Sequence, residues 1–166
     1  GMSSPRAFIS CSPSGRVGAS TTARILVDYF AFTGRPSLPF DTDLHERPMA
    51  LRFGDAEPID VASVLGEMAL FDRMLADDGL LKIVDVSSRC YDTFFTVAEK
   101  IGFFDEAHAR GVAIFVLFHV DGSDSSIRAA RRIAAVWPSI ELVIVENHGA
   151  SGQGELDSEI IDLYPA

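Results

Sequence analysis

Cysteine is scarce in this chain: Cys11 and Cys90 are the two among 166 residues, and neither sits in a C-x-x-C pair or a Cys/His cluster. That spacing excludes a disulfide framework and a zinc-ligand set, and both read as reduced, buried thiols. Positive charge is short as well, with 14 Lys and Arg against 24 Asp and Glu and a net charge of −10. General affinity for phosphate backbones, which depends on Lys and Arg displacing counterions, is not expected, so nucleic acid is not indicated as a partner. Arg128, Arg131 and Arg132 gather on one predicted helix, where they read as a solvated face. No apolar run approaches the ~18–20 residues of a membrane span, and no basic segment leads into an apolar one near the N-terminus, so a soluble, cytoplasmic protein is expected. Internal repeats, low-complexity tracts and linkers are likewise missing. Residues 1–166 read as one domain, with Gly1 ahead of Met2 set aside as a tag-cleavage remnant.

What is present is an ordinary globular composition, 48% hydrophobic and 23% charged, arranged as alternating strands and helices. Apolar runs predict strands at 7–11, 37–40, 80–86, 112–120 and 141–146, with a short one at 50–53 inside a long loop over 44–58. Pro39 places the second strand at an edge or a strand end. Helical spacing predicts helices over 20–33, from near Asp60 to before Gly79, 91–104, 123–137 and 155–163. In the second of these, Val61, Val64, Leu65, Met68, Phe71 and Leu75 are expected on the buried face, and Trp137 is expected in the core. The alternation argues for a three-layer, doubly wound α/β fold, a mostly parallel sheet with helices on both faces. Ligands of such folds collect at the carboxyl ends of the strands.

The stretch Pro13-Ser14-Gly15-Arg16-Val17-Gly18-Ala19-Ser20-Thr21-Thr22 lies between the first predicted strand and helix. Glycines there let backbone N–H groups turn toward an anion, and the helix N-terminus adds roughly half a positive charge. The Ser20 hydroxyl falls where a helix cap would stand. Farther on, Phe40-Asp41-Thr42-Asp43 closes the second strand, and Ile83-Val84-Asp85 ends an apolar strand in a carboxylate that is costly to bury without a partner. His119 also lies at a strand end, where a histidine commonly hydrogen-bonds nearby backbone.

These segments, in this order, resemble the P-loop ATPases of the ParA/MinD type, which carry G-K-G-G-V-G-K-[ST]-T at the first loop. The match holds at Gly15, Val17, Gly18, Ser20 and Thr21. It fails at Pro13 and Arg16, which replace glycines, and at Ser14 and Ala19, which replace the two lysines. The resemblance implies phosphate contacts from Gly15, Arg16, Val17, Gly18, Ala19, Ser20 and Thr21, and magnesium held through Ser20, Asp41 and Asp85. It also implies catalytic roles for Asp43 and Asp85 and a nucleobase contact from Asn147. The cofactors implied are ATP or ADP with Mg²⁺, and the partners a nucleotide and a protein or a second copy of the chain. The half from Gly111 to Asn147 is also similar to ParA-like proteins encoded with plasmid mobilisation and conjugal transfer.

With Ala19 in the lysine position, little or no hydrolysis is expected, because phosphoryl transfer relies on cationic charge at the developing phosphate oxygens. Arg16 is the nearby cation in sequence able to substitute. Three other readings stay open. A non-nucleotide-binding interaction module on the same fold is one, and a flavodoxin-like flavin oxidoreductase beginning at Ser10-Cys11-Ser12-Pro13-Ser14 is another. The third is a cysteine phosphatase on Cys11, whose C-x5-R spacing falls on Val17 instead of an arginine.

Overall fold

The structure, a computed structural model, describes residues 5–15, 17–42, 57–60 and 63–146. Six strands, β1 (Arg6–Cys11), β2 (Ser37–Asp41), β3 (Glu57–Pro58), β4 (Leu81–Val86), β5 (Ala113–Val120) and β6 (Glu141–Glu146), form one sheet in the order β3-β2-β4-β1-β5-β6. Every pairing is parallel. β1, β4 and β5 occupy the middle and are buried almost throughout, which is why they read as continuous apolar runs rather than alternating ones. All strands point the same way, so their carboxyl ends share one rim of the sheet.

One face of the sheet is covered by α1 (Ala19–Phe32), whose Ala23, Leu26, Val27 and Phe30 pack on Phe8, Ile83, Leu117 and Val145. The other carries α2 (Val64–Leu75), α3 (Tyr91–Ile101), α4 (Phe103–Ala109) and α5 (Asp124–Val136) over a larger core. Aromatic rings hold that side together: Phe71 stacks on Phe103 with centroids 4.1 Å apart, and Trp137 packs on Phe104 at 4.7 Å. Trp137 is half-buried against this cluster, and Arg128, Arg131 and Arg132 face solvent as expected. Helices on both faces of a parallel sheet give the three-layer α/β architecture that the alternation predicts.

Several local expectations need correction. The helix predicted over 91–104 is two helices, because Gly102 takes a left-handed φ of 66° that ends α3 and starts α4. α1 begins one residue early, with Gly18 at φ 97° as its N-cap and no side-chain cap, so Ser20 does not cap it. In α2 the N-cap is Ser63, whose Oγ accepts from the Gly66 N–H at 3.1 Å. Its buried stripe falls on Glu67, Leu70, Phe71, Met74 and Leu75, while Leu65 and Met68 are exposed. A polar residue thus occupies a position that the i, i+3, i+4 pattern reserves for an apolar one. Glu57-Pro58, expected in a loop, pairs with Phe40 and Asp41 of β2. Pro39 lies just before that short ladder, where β2 is paired with β4 on its other side. Cys90 is half-buried, unlike the fully buried Cys11. The predicted strand at 50–53 and helix at 155–163 fall outside the described residues.

Setting aside the two-residue β3, the strands run 2-3-1-4-5 in chain order. A flavodoxin-like sheet runs 2-1-3-4-5, with the first strand beside the second. Here β4 separates β1 from β2, which removes the flavodoxin-like reading.

Candidate functional site

α1 follows β1 on one face of the sheet and α3 follows β4 on the other, although β1 and β4 are neighbours. Their outgoing loops therefore diverge and leave a crevice at the strand ends. A cleft of about 420 Å³ opens there, lined by Ser12, Ser14, Gly15 and 17–21 on one wall and by Asp85 to Arg89 on the other. The two walls meet where Gly15 faces Ser88: a Cβ on Gly15 would lie 3.4 Å from the Ser88 hydroxyl. Gly18 supplies the left-handed turn that starts α1, a conformation strained for any residue with a side chain. Ala19 and Ser20 thus open the helix at the cleft, where its free N–H groups and dipole favour an anion.

The loop is braced from below and from the side. Ser10 Oγ donates to the Ala19 carbonyl at 2.7 Å, and its oxygen sits 3.2 Å from His119 Nε2. A hydroxyl has one proton, so His119 donates from Nε2 and is the Nε2–H tautomer. His119 is fully buried, and desolvation pushes its pKa down to about 4, offset in part by the Val17 backbone. It is a neutral brace under the loop. At the rim, Ser14 Oγ donates to Asp121 at 2.7 Å, and Ser12 Oγ accepts from the Ser14 N–H at 3.1 Å. The Ser123 hydroxyl and then Ser14 hold the Asp121 carboxyl down at about 2. Ser14, in a lysine position of the resembled pattern, is therefore engaged within its own chain.

Asp85 is buried at the end of β4, in register with Ser10 of β1 and Asp41 of β2. Asp41 is also buried and lies one strand farther from the cleft, which it does not line. Thr42 fixes the end of β4: its Oγ1 donates to the Asp85 carbonyl at 2.8 Å and accepts from the Ser87 N–H at 3.1 Å. Burial first, and then the Asp85 carboxylate, push the Cys11 thiol far above its usual range, so it stays protonated and cannot act as a phosphatase nucleophile.

Of the residues predicted for the site, Gly15, Val17, Gly18, Ala19, Ser20, Thr21 and Asp85 line one cleft, and Asp41 stands behind it. Arg16, Asp43 and Asn147 lie outside the described residues. Ser10, Thr42, Ser87, Arg89 and Asp121 were missed by the sequence reading. The available signal was position: Thr42 and Ser87 to Arg89 directly follow strands whose carboxyl ends border the crevice.

No protein-family model matches the sequence, and no curated protein matches it. Solved structures do resemble it. A de novo designed protein with the P-loop NTPase fold aligns at 14% identity over 98% of this chain and 91% of that one, with a TM-score of 0.60. Cobyrinic acid a,c-diamide synthase from Mycobacterium smegmatis, solved with ADP and magnesium, aligns at 14% identity over 98% of this chain and 83% of that one, with a TM-score of 0.52. The same enzyme with an ATP analog and magnesium gives a TM-score of 0.53 at the same identity and coverage. No helix among the described residues is long and apolar enough to cross a membrane. Sheet, layers and likeness agree: this chain has the three-layer α/β fold of the P-loop nucleoside triphosphatases.

Proposed function

We propose that the domain binds a nucleoside di- or triphosphate with Mg²⁺ in the cleft between the β1–α1 loop and the end of β4, and hydrolyses it slowly or not at all. The observation that carries this reading is the meeting, in one cleft, of Gly15 and residues 17–21, the start of α1 and the strand-end Asp85. Backbone N–H groups from Gly15 to Thr21 would take the phosphates. Magnesium bound with phosphates needs few protein ligands, and the oxygen donors lining the cleft suit it: the Ser20 hydroxyl directly, with Asp85 through water, while the magnesium role that the resemblance gives Asp41 would have to act from behind Asp85. In this reading Arg16, Asp43 and Asn147 keep the roles that the sequence resemblance assigns them.

Ala19 puts no ammonium at the first turn, and one charge-assisted hydrogen bond of that kind is worth about 1.5–3 kcal/mol. Its loss weakens the transition state for phosphoryl transfer and favours a ParA/MinD-like domain that signals by binding, through a protein partner or a second copy. Titration calorimetry and thermal shift with ATP, ADP and GTP, with and without magnesium, test this. Saturable binding is expected, with stabilisation by about 2.7 kcal/mol at 100 times the dissociation constant. Silence toward every nucleotide would instead favour an interaction module that keeps the fold without the ligand.

A further inference from the structure

Ala19 leaves the phosphate loop without its usual cation, yet the cleft is not without one. Among the described residues lining it, Arg89 alone is cationic. It stands in the turn after β4, on the wall opposite the phosphate loop, and is exposed. The same turn carries a second feature that points to a ligand. Ser87 Oγ is closed off from solvent and has no hydrogen-bond partner among the described residues, although it belongs to a cleft-lining residue. Buried hydroxyls are normally satisfied, and an unsatisfied one beside a cavity suits an oxygen-rich guest.

The geometry keeps this turn close to the loop. A Cβ built on Gly15 would come within 3.4 Å of the Ser88 hydroxyl across the cleft, and Thr42 fixes the Ser87 N–H. Arg89 therefore lines the same cleft as the start of α1, from the opposite wall. Arginine's planar fork matches phosphate oxygens two at a time, which a lysine ammonium does not.

We propose that the turn Ser87–Arg89 is the second half of the phosphate site: Arg89 supplies the positive charge to the terminal phosphate, and the Ser87 hydroxyl donates a hydrogen bond beside it. The cation has moved from the helix to the strand-end turn. This inference rests on the nucleotide-binding reading above and adds to it the residue that discriminates polyphosphates from nucleosides.

Calorimetry with MgATP, MgADP, inorganic pyrophosphate and adenosine, on wild type and on Arg89→Ala, Arg89→Lys, Ser87→Ala and Arg131→Ala, tests it. Arg89→Ala is expected to weaken MgATP and pyrophosphate at least tenfold while leaving adenosine unchanged. Arg89→Lys should recover part of the loss, Ser87→Ala should weaken the same ligands by a smaller factor, and Arg131→Ala, on the solvated face of α5, should bind as wild type. Adding Ala19→Lys to Arg89→Ala should restore phosphate affinity from the other wall. Wild type that binds while Arg89→Ala binds equally well would overturn this inference alone. Wild type that binds none of the phosphate ligands would overturn the nucleotide reading and this inference together. Unfolding temperatures of the variants without ligand separate lost contacts from lost fold.

Discussion

Ala19 occupies the first turn of α1, where the helix dipole favours anions and opposes cations. Ala19→Lys therefore has two expected effects of opposite sign. The unliganded protein should lose up to about 1 kcal/mol of stability from a positive charge at a helix N-terminus, measurable by urea denaturation. Polyphosphate affinity should rise by about tenfold or more, the equivalent of one charge-assisted hydrogen bond. Lost stability without gained affinity would mean that position 19 does not face a phosphate. His119 is the second residue whose environment sets a measurable quantity. Its native pKa of about 4 lies below its ordinary 6.5, so between those values the unfolded chain binds the extra proton and stability rises with pH. Stability held by the neutral imidazole is then lost as pH falls through that window, by at most about 3 kcal/mol. His119→Gln, which keeps a donor toward Ser10, should remove this slope, and an unchanged pH profile would contradict the buried-brace role.

At the scale of elements, the legible and illegible parts of the fold separate by physical cause. Central strands were legible because burial on both faces makes them continuous apolar runs, as in Ile83-Val84 and Ile114 to Phe118. The turn between β1 and α1 was legible because glycine spacing before a helix is a backbone signal. By contrast, the break between α3 and α4 depends on one glycine inside an otherwise helical pattern, which local sequence tolerates. The face of α2 was misread because Glu67 is fully buried on the same helix stripe as Leu70, Phe71 and Met74, and a carboxylate is the last residue a hydropathy pattern puts inside. Arg89 was invisible for a different reason: its value comes from facing a loop more than 70 residues earlier, through strand order alone. Glu67 yields a prediction of its own. Burial raises its pKa from 4.5 to about 8, and neither carboxylate oxygen has a hydrogen-bond partner among the described residues. The native state holds the proton between those values, so this group makes stability fall as pH rises from about 4.5 to 8. Glu67→Gln should flatten that decline and be more stable than wild type at pH 8, and equal stability there would show that the carboxyl is solvated.

For the molecule as a whole, a net charge of −10 repels a nucleotide polyphosphate at a distance, yet charges farther than about 10 Å are largely screened at 0.1 M salt. In the proposed reading, binding is then decided by the cradle itself: the loop amides, a helix end and Arg89, which line one cleft. Strand order makes this possible, because β1 and β4 are neighbours whose loops leave toward opposite faces. The most direct measurement is an amide ¹H–¹⁵N NMR titration with MgADP and with pyrophosphate. The account predicts saturable shifts concentrated at Gly15, Gly18, Ala19, Ser20 and Thr21, with Ser87 to Arg89 moving at the same ligand concentration. Amides of that loop that stay in place while the ligand saturates, or shifts confined to another surface, would contradict it.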